Sequence, residues 1–128
     1  MPVVPVPTPS APAVAGPYSP AVRAGEWLVL AGQVGLDPAT GRIVEGGAEA
    51  EARQVLANIS AILHDCGASM TDVAKTTVFV TDMGDFATVN AVYAEAFGAH
   101  RPARSTVQVS ALPGGAQVEI ETWAHLPQ

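Results

Sequence analysis

One arginine and two glutamates near the end of the chain carry the strongest chemical signal in this sequence. Arg104 follows Pro102-Ala103 and precedes a β-branched run, so a fixed turn comes directly before it. Glu119 and Glu121 alternate with apolar residues and therefore lie on one side of a predicted strand. An arginine fork binds a carboxylate through two hydrogen bonds, and a nearby glutamate can activate water. The spacing by itself favours the simpler interpretation, which is a solvated strand face with a surface arginine.

Other residue types that often do chemistry form no recognisable site. The sequence contains no GxGxxG, no phosphate-binding GxxxxGKS or GxxxxGKT and no GxSxG motif. His64, His100 and His125 are far apart and lie in no metal motif, so we expect surface or structural roles for them. Cys66 is the one cysteine, which excludes an intramolecular disulfide, and we expect it to be a packing residue. The sequence therefore predicts no metal site.

The acidic composition argues against a nucleic-acid partner. Twelve acidic residues outnumber six basic ones, which gives a formal net charge of -6 and an isoelectric point of about 4.8. A nucleic-acid partner needs clustered lysines and arginines, and the basic residues here are scattered, so we expect no such partner. Because 48% of the residues are hydrophobic and 14% are charged, we expect some apolar surface to meet another subunit.

The N-terminal residues differ in composition from the rest of the chain. Five prolines occur in the first fifteen residues, which predicts an extended, flexible tail over 1–15 and one domain over 16–128. The first basic residue is Arg23, so a charged signal-peptide region is missing. No uninterrupted apolar run approaches the roughly 18 residues that cross a membrane. We therefore expect a cytoplasmic protein.

Two helices and five strands are predicted to position the candidate residues. An apolar stripe predicts a helix from Ala48 to Cys66, and Gly67 follows as its stop. A second helix is predicted from a cap at Asp82 or Asp85 through Phe97, and its apolar stripe includes Phe86, Val89, Tyr93 and Phe97. The predicted strands cover residues 21–24, 27–31, 73–81, 105–112 and 117–124. This ββ-α-β-α-ββ order predicts an α+β fold in which both helices pack on one face of a mixed sheet.

Four segments of the chain together resemble the Rid/YjgF family. They read GPYSPAV at 16–22, AGQVGLDPATG at 31–41, KTTVFVTDMGDFATVN at 75–90 and PARSTVQVSALPGGAQVEIE at 102–121. The resemblance extends over about residues 16–126 and is greatest to the RidA-type branch, whose members carry an arginine at the position of Arg104.

The resemblance implies a fold, an activity and a set of site residues. It implies a homotrimer of a chorismate-mutase-like fold, with sites in clefts between subunits and neither metal nor organic cofactor. Members of the RidA type hydrolyse reactive enamines and imines, such as 2-aminoacrylate and 2-iminopropionate, to 2-oxo acids and ammonia. By this resemblance Arg104 binds the substrate carboxylate, Glu119 positions the attacking water, and Tyr18 lies at the pocket wall. Gly32 and Thr106 fall where backbone groups line the site.

Two departures from the family pattern leave alternatives open. Ala31 stands where the family often has serine, and Thr106 stands where it often has cysteine. A lost hydroxyl changes which polar groups a pocket can satisfy, so the precise substrate is open. One alternative is a non-catalytic trimer that binds a 2-oxo acid or amino acid, and another is a related pathway deaminase, for example of the aminomuconate type. A ribonuclease activity fits the net charge of -6 poorly.

Overall fold

Six strands form one mixed sheet, and two helices pack against one of its faces. A computed structural model describes residues 2–127 of the chain. The elements are β1 (Val4–Pro5), β2 (Ala21–Ala24), β3 (Trp27–Val34), α1 (Gly47–Asp65), β4 (Val73–Val80), α2 (Phe86–Phe97), β5 (Ala103–Gln108) and β6 (Val118–His125). Their order in the sheet is β1-β2-β3-β6-β4-β5. The architecture confirms the predicted α+β class and adds β1 to the predicted order of elements.

Helix α1 forms where the apolar stripe predicts it. Val55, Ile59 and Ile62 recur at helical spacing and are fully buried against the sheet. The helix ends before Gly67, whose φ of +81° belongs to the left-handed region that favours glycine. The observed bounds, Gly47–Asp65, differ by one residue at each end from the predicted ones.

Helix α2 follows a short turn that a side chain stabilises. The carboxylate of Asp82 accepts a hydrogen bond from the backbone N–H of Gly84 at 2.8 Å, and a 3₁₀ turn at Met83–Asp85 leads into the helix. Val89 and Phe97 of α2 are buried in the core that the two helices share with the sheet. The helix lies over β4 and β5, because Tyr93 shares a hydrogen bond with Thr76 of β4 and Asn90 accepts one from Arg104 of β5.

Strand β6 occupies the centre of the sheet although it is the last strand in the sequence. It pairs antiparallel with both β3 and β4, and β5 pairs parallel with the far side of β4. Strands β5 and β6 are therefore not neighbours, even though they are consecutive in the chain. The burial pattern agrees, because Val118, Ile120 and Ala124 of β6 are fully buried whereas β5 is mostly exposed.

The strand register decides which side chains share a face. Arg104 and Thr106 of β5 pair with Thr76 and Val78 of β4, both of which are buried on the side that the helices cover. Glu119 pairs with residue 79 and Glu121 with residue 77, on the opposite side. Trp27 and Trp123 also lie on this second side, which we call the open face because neither helix covers it; they remain 39% and 46% exposed.

The proline-rich N-terminal segment lies against the domain. Val4–Pro5 pairs antiparallel with β2 and extends the sheet by one short edge strand. Ser10 donates from its backbone N–H and its hydroxyl to the carboxylate of Asp65, at 2.8 and 2.9 Å. Pro12 is buried. The sequence analysis did not foresee these contacts, because proline content indicates extended backbone but not what the segment packs against. Its flexibility stays a prediction.

Candidate active site

Arg104 faces helix α2 and is held there by neutral side chains. Its Nη2 donates a hydrogen bond to Oδ1 of Asn90 at 2.7 Å. Its Cζ lies 4.9 Å from the centre of the Tyr93 ring and 5.6 Å from that of Phe86. Among residues 2–127 no carboxylate lies within ion-pair distance of this guanidinium. Within these residues its positive charge is therefore unpaired, and it is available to an anionic ligand.

Thr106 presents a second polar group on the same side of β5. Within the described part of the chain its Oγ1 is buried and has no hydrogen-bond partner. A buried hydroxyl without a protein partner is a group that a bound ligand can satisfy. The Oγ1 of Thr122 is also unpartnered, but that residue is fully buried in the core of the sheet. Only Thr106 lies beside Arg104, two residues further along β5 and on the same side of the strand.

Glu119 lies on the open face, over the backbone of Gly32. A Cβ built at Gly32 would come within 2.8 Å of Oε2 and 2.9 Å of Cδ of Glu119, so any larger residue would displace this carboxylate. The register between β3 and β6 shifts between Leu30 and Gln33, an irregularity that contains Gly32. Gly32, which the resemblance places in the lining of the site, therefore lies directly beneath the carboxylate of Glu119 and leaves room for it.

The environment of Glu119 favours its protonated form. Burial of the carboxyl is the main cause that raises its pKa above the ordinary glutamate value, and the neighbouring charge of Glu121 raises it further. Both glutamates lie on the same side of β6, as their spacing predicts. A raised pKa moves Glu119 towards the range in which a carboxyl can donate a proton near neutral pH.

Tyr18 lies in the loop before β2, near the same part of β3. It is 51% exposed, and its hydroxyl accepts a hydrogen bond from the backbone N–H of Ala15 at 3.4 Å. The loop is tied to β3 because the N–H of Ala31 donates to the carbonyl of Pro20 at 2.9 Å. The loop that contains Tyr18 is therefore hydrogen-bonded to the residue that precedes Gly32.

One chain divides the predicted site residues into two groups. Arg104 and Thr106 lie on the helix-covered side of edge strand β5, whereas Gly32 and Glu119 lie on the open face, with β4 between β5 and β6. The structure therefore brings Arg104 together with Thr106, and Glu119 with Gly32. It does not bring the arginine and the glutamate together within a single chain.

The side chains around Arg104 were missed as site residues. Phe86 and Tyr93 were interpreted only as part of the apolar stripe of the second helix, and Asn90 was not singled out. The sequence did contain a signal for them, since Asn90 lies between Phe86 and Tyr93 on the same face of the predicted helix. The apolar stripe of α2 does not specify which strand the helix packs against, so the sequence could not show that this face lies over β5.

Two further searches of the described residues gave negative findings. Residues 2–127 contain no cluster of three or more His, Cys, Asp or Glu side chains arranged to hold a metal ion. No helix in that range has the length and apolar character required to cross a membrane.

Comparison with known proteins identifies the family. The model of the Ribonuc_L-PSP family, described as Endoribonuclease L-PSP, matches residues 8–126 of the chain. The chain belongs to this family. The resemblance to Rid/YjgF proteins is thereby confirmed.

Curated relatives and a solved structure are similar over nearly their whole length. A RutC family protein of Pyrococcus horikoshii is 52% identical over 118 residues, which cover 92% of this chain and 94% of the relative. The 2-iminobutanoate/2-iminopropanoate deaminase of Mus musculus is 49% identical over 117 residues, covering 91% and 87%. The crystal structure of RidA from the Antarctic bacterium Psychrobacter sp. PAMC 21119 superposes with a TM-score of 0.91 at 44% identity, covering 94% and 98%.

Proposed function

We propose that this protein is an enamine/imine deaminase that converts 2-aminoacrylate and 2-iminopropionate-type intermediates to 2-oxo acids and ammonia. The observation that carries the proposal is Arg104, whose guanidinium has no carboxylate partner within residues 2–127. The unpartnered hydroxyl of Thr106 supports it. The mouse relative at 49% identity bears the name of this activity. Cytoplasmic location and independence of cofactors stay predictions.

The proposed reaction needs orientation of the substrate and controlled proton transfer. A charge-assisted contact between Arg104 and the substrate carboxylate fixes which end of the molecule faces the water. Water adds to the imine carbon, the electron pair of the C=N bond moves to nitrogen, and the nitrogen takes a proton. The carbinolamine then collapses, the C–N bond breaks, and ammonia leaves the 2-oxo acid. Glu119 positions the water, and its raised pKa suits it to exchange protons with water and nitrogen.

The proposal requires that two copies of the chain form each site, in a homotrimer. Arg104 and Glu119 lie on opposite sides of the sheet, so a single chain does not complete the pair. The open face also exposes Trp27, Trp123 and Val107, which are apolar side chains that a neighbouring copy can cover. A ring of copies would then bring the open face of one chain to the β5 edge of the next.

Complementation tests this arrangement. Arg104→Ala is expected to keep at most about a tenth of the wild-type kcat/KM and Glu119→Ala about a hundredth or less. Refolding the two variants together should restore about a quarter of wild-type sites by random assortment of chains. Light scattering of the same samples should give three chains per particle. Mixtures that stay inactive although mixed trimers have formed would contradict a site shared between copies.

The activity itself is tested by generating 2-iminopropionate with an amino-acid oxidase in the presence of semicarbazide. The protein should remove the imine before semicarbazide traps it, and Arg104→Ala should lower kcat/KM roughly ten- to a hundredfold, as expected for loss of a charge-assisted contact. The matched control is Arg101→Ala, since Arg101 hydrogen-bonds the carbonyls of Gly98 and His100 on the exposed surface. An unchanged kcat/KM in Arg104→Ala would contradict the carboxylate role.

A non-catalytic binding protein is the second candidate, favoured by one observation. Ala31 contributes no hydroxyl beside Gly32 and Glu119, so one polar group is missing from that side of the site. Thermal stabilisation by pyruvate without any turnover of imine would support this candidate over the deaminase. Ammonia release above the spontaneous rate would exclude it as the main function.

RNA cleavage, which the family description names, receives no support from the charge of this chain. The formal net charge is -6, and binding to phosphates depends on a clustered positive surface. We expect no salt-sensitive binding of single-stranded RNA in a titration at low ionic strength.

A further inference from the structure

Three side chains of α2 surround the guanidinium of Arg104. Phe86, Asn90 and Tyr93 are spaced at i, i+4 and i+7, which places them on one face of the helix. The two rings lie 5.6 and 4.9 Å from Cζ, and the amide oxygen of Asn90 accepts a hydrogen bond from Nη2 at 2.7 Å. The arginine therefore rests between two aromatic rings and one neutral acceptor.

Tyr93 is itself anchored to the sheet. It is buried, and its hydroxyl lies 2.7 Å from Oγ1 of Thr76, with which it shares a hydrogen bond. Thr76 is fully buried and is the residue of β4 that pairs in register with Arg104. The Tyr93 ring also packs against Phe97 at a centroid separation of 4.6 Å. Helix, sheet and arginine are thus joined through one tyrosine.

The neutrality of these neighbours has a chemical consequence. Aromatic faces attract a cation without neutralising its charge, and an amide oxygen occupies one donor only. Burial raises the pKa of Tyr93, so its ring stays uncharged at neutral pH. The orientation of Arg104 can therefore be held while its charge and its remaining N–H donors stay free for a ligand.

We propose that Tyr93, anchored by Thr76, and Phe86 are positioning residues that hold the Arg104 guanidinium in the orientation that binds the substrate carboxylate. The inference rests on the proposed function, in which Arg104 binds that carboxylate. Neither aromatic residue needs to touch the reacting atoms, since both act through Arg104. Loss of a ring is therefore expected to weaken substrate binding more than it slows the chemical step.

Phe86→Leu is the variant of choice because Phe86 is 37% exposed and leucine keeps an apolar side chain there. We expect KM for 2-iminopropionate to rise about two- to fivefold, with kcat changed less than twofold, as expected for a partly exposed cation–π contact. Phe86→Tyr retains the ring and should restore the wild-type KM. Tyr93→Phe keeps the ring but removes the hydrogen bond to Thr76, and should raise KM to a smaller degree.

A second measurement separates this inference from the proposed function. The ¹H–¹⁵N heteronuclear NOE of the Arg104 Nε–H reports its mobility without any turnover. We expect a rigid Nε–H in the wild type and in Phe86→Tyr, and a more mobile one in Phe86→Leu. If Arg104→Ala loses activity while Phe86→Leu leaves KM and mobility unchanged, the positioning role is overturned and the deaminase stands. If the wild type turns over no imine but the mobility changes as expected, the function fails and the positioning role survives.

Discussion

Two arginines of this protein have opposite surroundings. Arg53 lies on α1 with its side chain 52% exposed, and its guanidinium pairs with Glu95 of α2 and Glu49 of α1. Arg104 lies on β5, half-buried, between two aromatic rings and the amide of Asn90. The first arginine has its charge balanced by its own chain. The second is held in position by neutral side chains, and no carboxylate of residues 2–127 balances its charge.

The difference separates structural charges from charges available for chemistry. The hydrogen bond and charge of Glu95, with a smaller contribution from Glu49, raise the pKa of Arg53, and solvent screens such exposed pairs. Glu119 resembles Arg104 in this respect, since no cation among residues 2–127 pairs with it and its pKa is raised. An unbalanced, partly buried charge lowers stability unless a ligand or a partner chain satisfies it. The following substitutions test that distinction, beginning with the largest expected effect.

Glu119→Gln should lower kcat on 2-iminopropionate by about 10²–10⁴-fold, because it removes the proposed acid–base group and keeps its shape. The same variant should be more stable at pH 7. A carboxyl with a raised folded-state pKa contributes stability below its unfolded pKa of about 4.3 and loses it as pH rises through the folded value. Urea unfolding at pH 7 and at pH 4 measures this, and the stabilisation should vanish at the lower pH. Equal stabilisation at both values would contradict a desolvated carboxylate.

Asn90→Asp should convert Arg104 into an arginine of the Arg53 type. The new carboxylate would stand where the amide oxygen now accepts from Nη2, at 2.7 Å, and would compete with the substrate. We expect kcat/KM to fall roughly ten- to a hundredfold through KM, the loss expected when a charge-assisted contact is removed. Asn90→Gln keeps a neutral amide and is the control. Equal kcat/KM values for the two Asn90 variants would contradict the idea that a neutral neighbour keeps the charge of Arg104 available.

Glu121→Gln should change the pH profile of the reaction rather than its maximum. Glu121 contributes to the raised pKa of Glu119, so its neutralisation lowers that pKa. Activity that requires protonated Glu119 declines as pH rises through this pKa, and the decline should therefore occur at lower pH in the variant. The ratio of kcat/KM at pH 6 to that at pH 8 should therefore rise, by less than about tenfold, relative to the same ratio in the control variant Glu45→Gln. A shift of the profile to higher pH would be evidence against the assignment.

Arg53→Ala should have the smallest effect. Its pairs with Glu49 and Glu95 lie on the exposed surface of the two helices, so kcat/KM should stay within a factor of about two of the wild type. The midpoint of urea unfolding should change little at 0.5 M salt, where such pairs are screened. A large fall in kcat/KM would show that the ion pairs of Arg53 on the helix surface affect the site at Arg104.

Much of the local structure could be predicted because its causes are local. The apolar spacing of Val55, Ile59 and Ile62 predicted α1 to within one residue at each end. The alternation around Glu119 and Glu121 correctly placed both on one side of a strand. The prolines of residues 2–15 predicted no packing partner, because the hydrogen bonds from Ser10 to Asp65 join residues distant in sequence.

The sequence by itself determined the element types and the acidic charge, because both follow from residue type and short-range spacing. The family, and the prediction that Arg104 and Glu119 belong to the site, came from the resemblance of four segments to Rid/YjgF proteins. Only the tertiary structure decided that β6 lies between β3 and β4, and that Arg104 faces α2 while Glu119 faces the other way. Strand alternation specifies that neighbouring side chains point to opposite faces, but which face the helices cover depends on contacts between distant segments. For the same reason, the neutral surroundings of Arg104 emerged only when α2 was packed over β5.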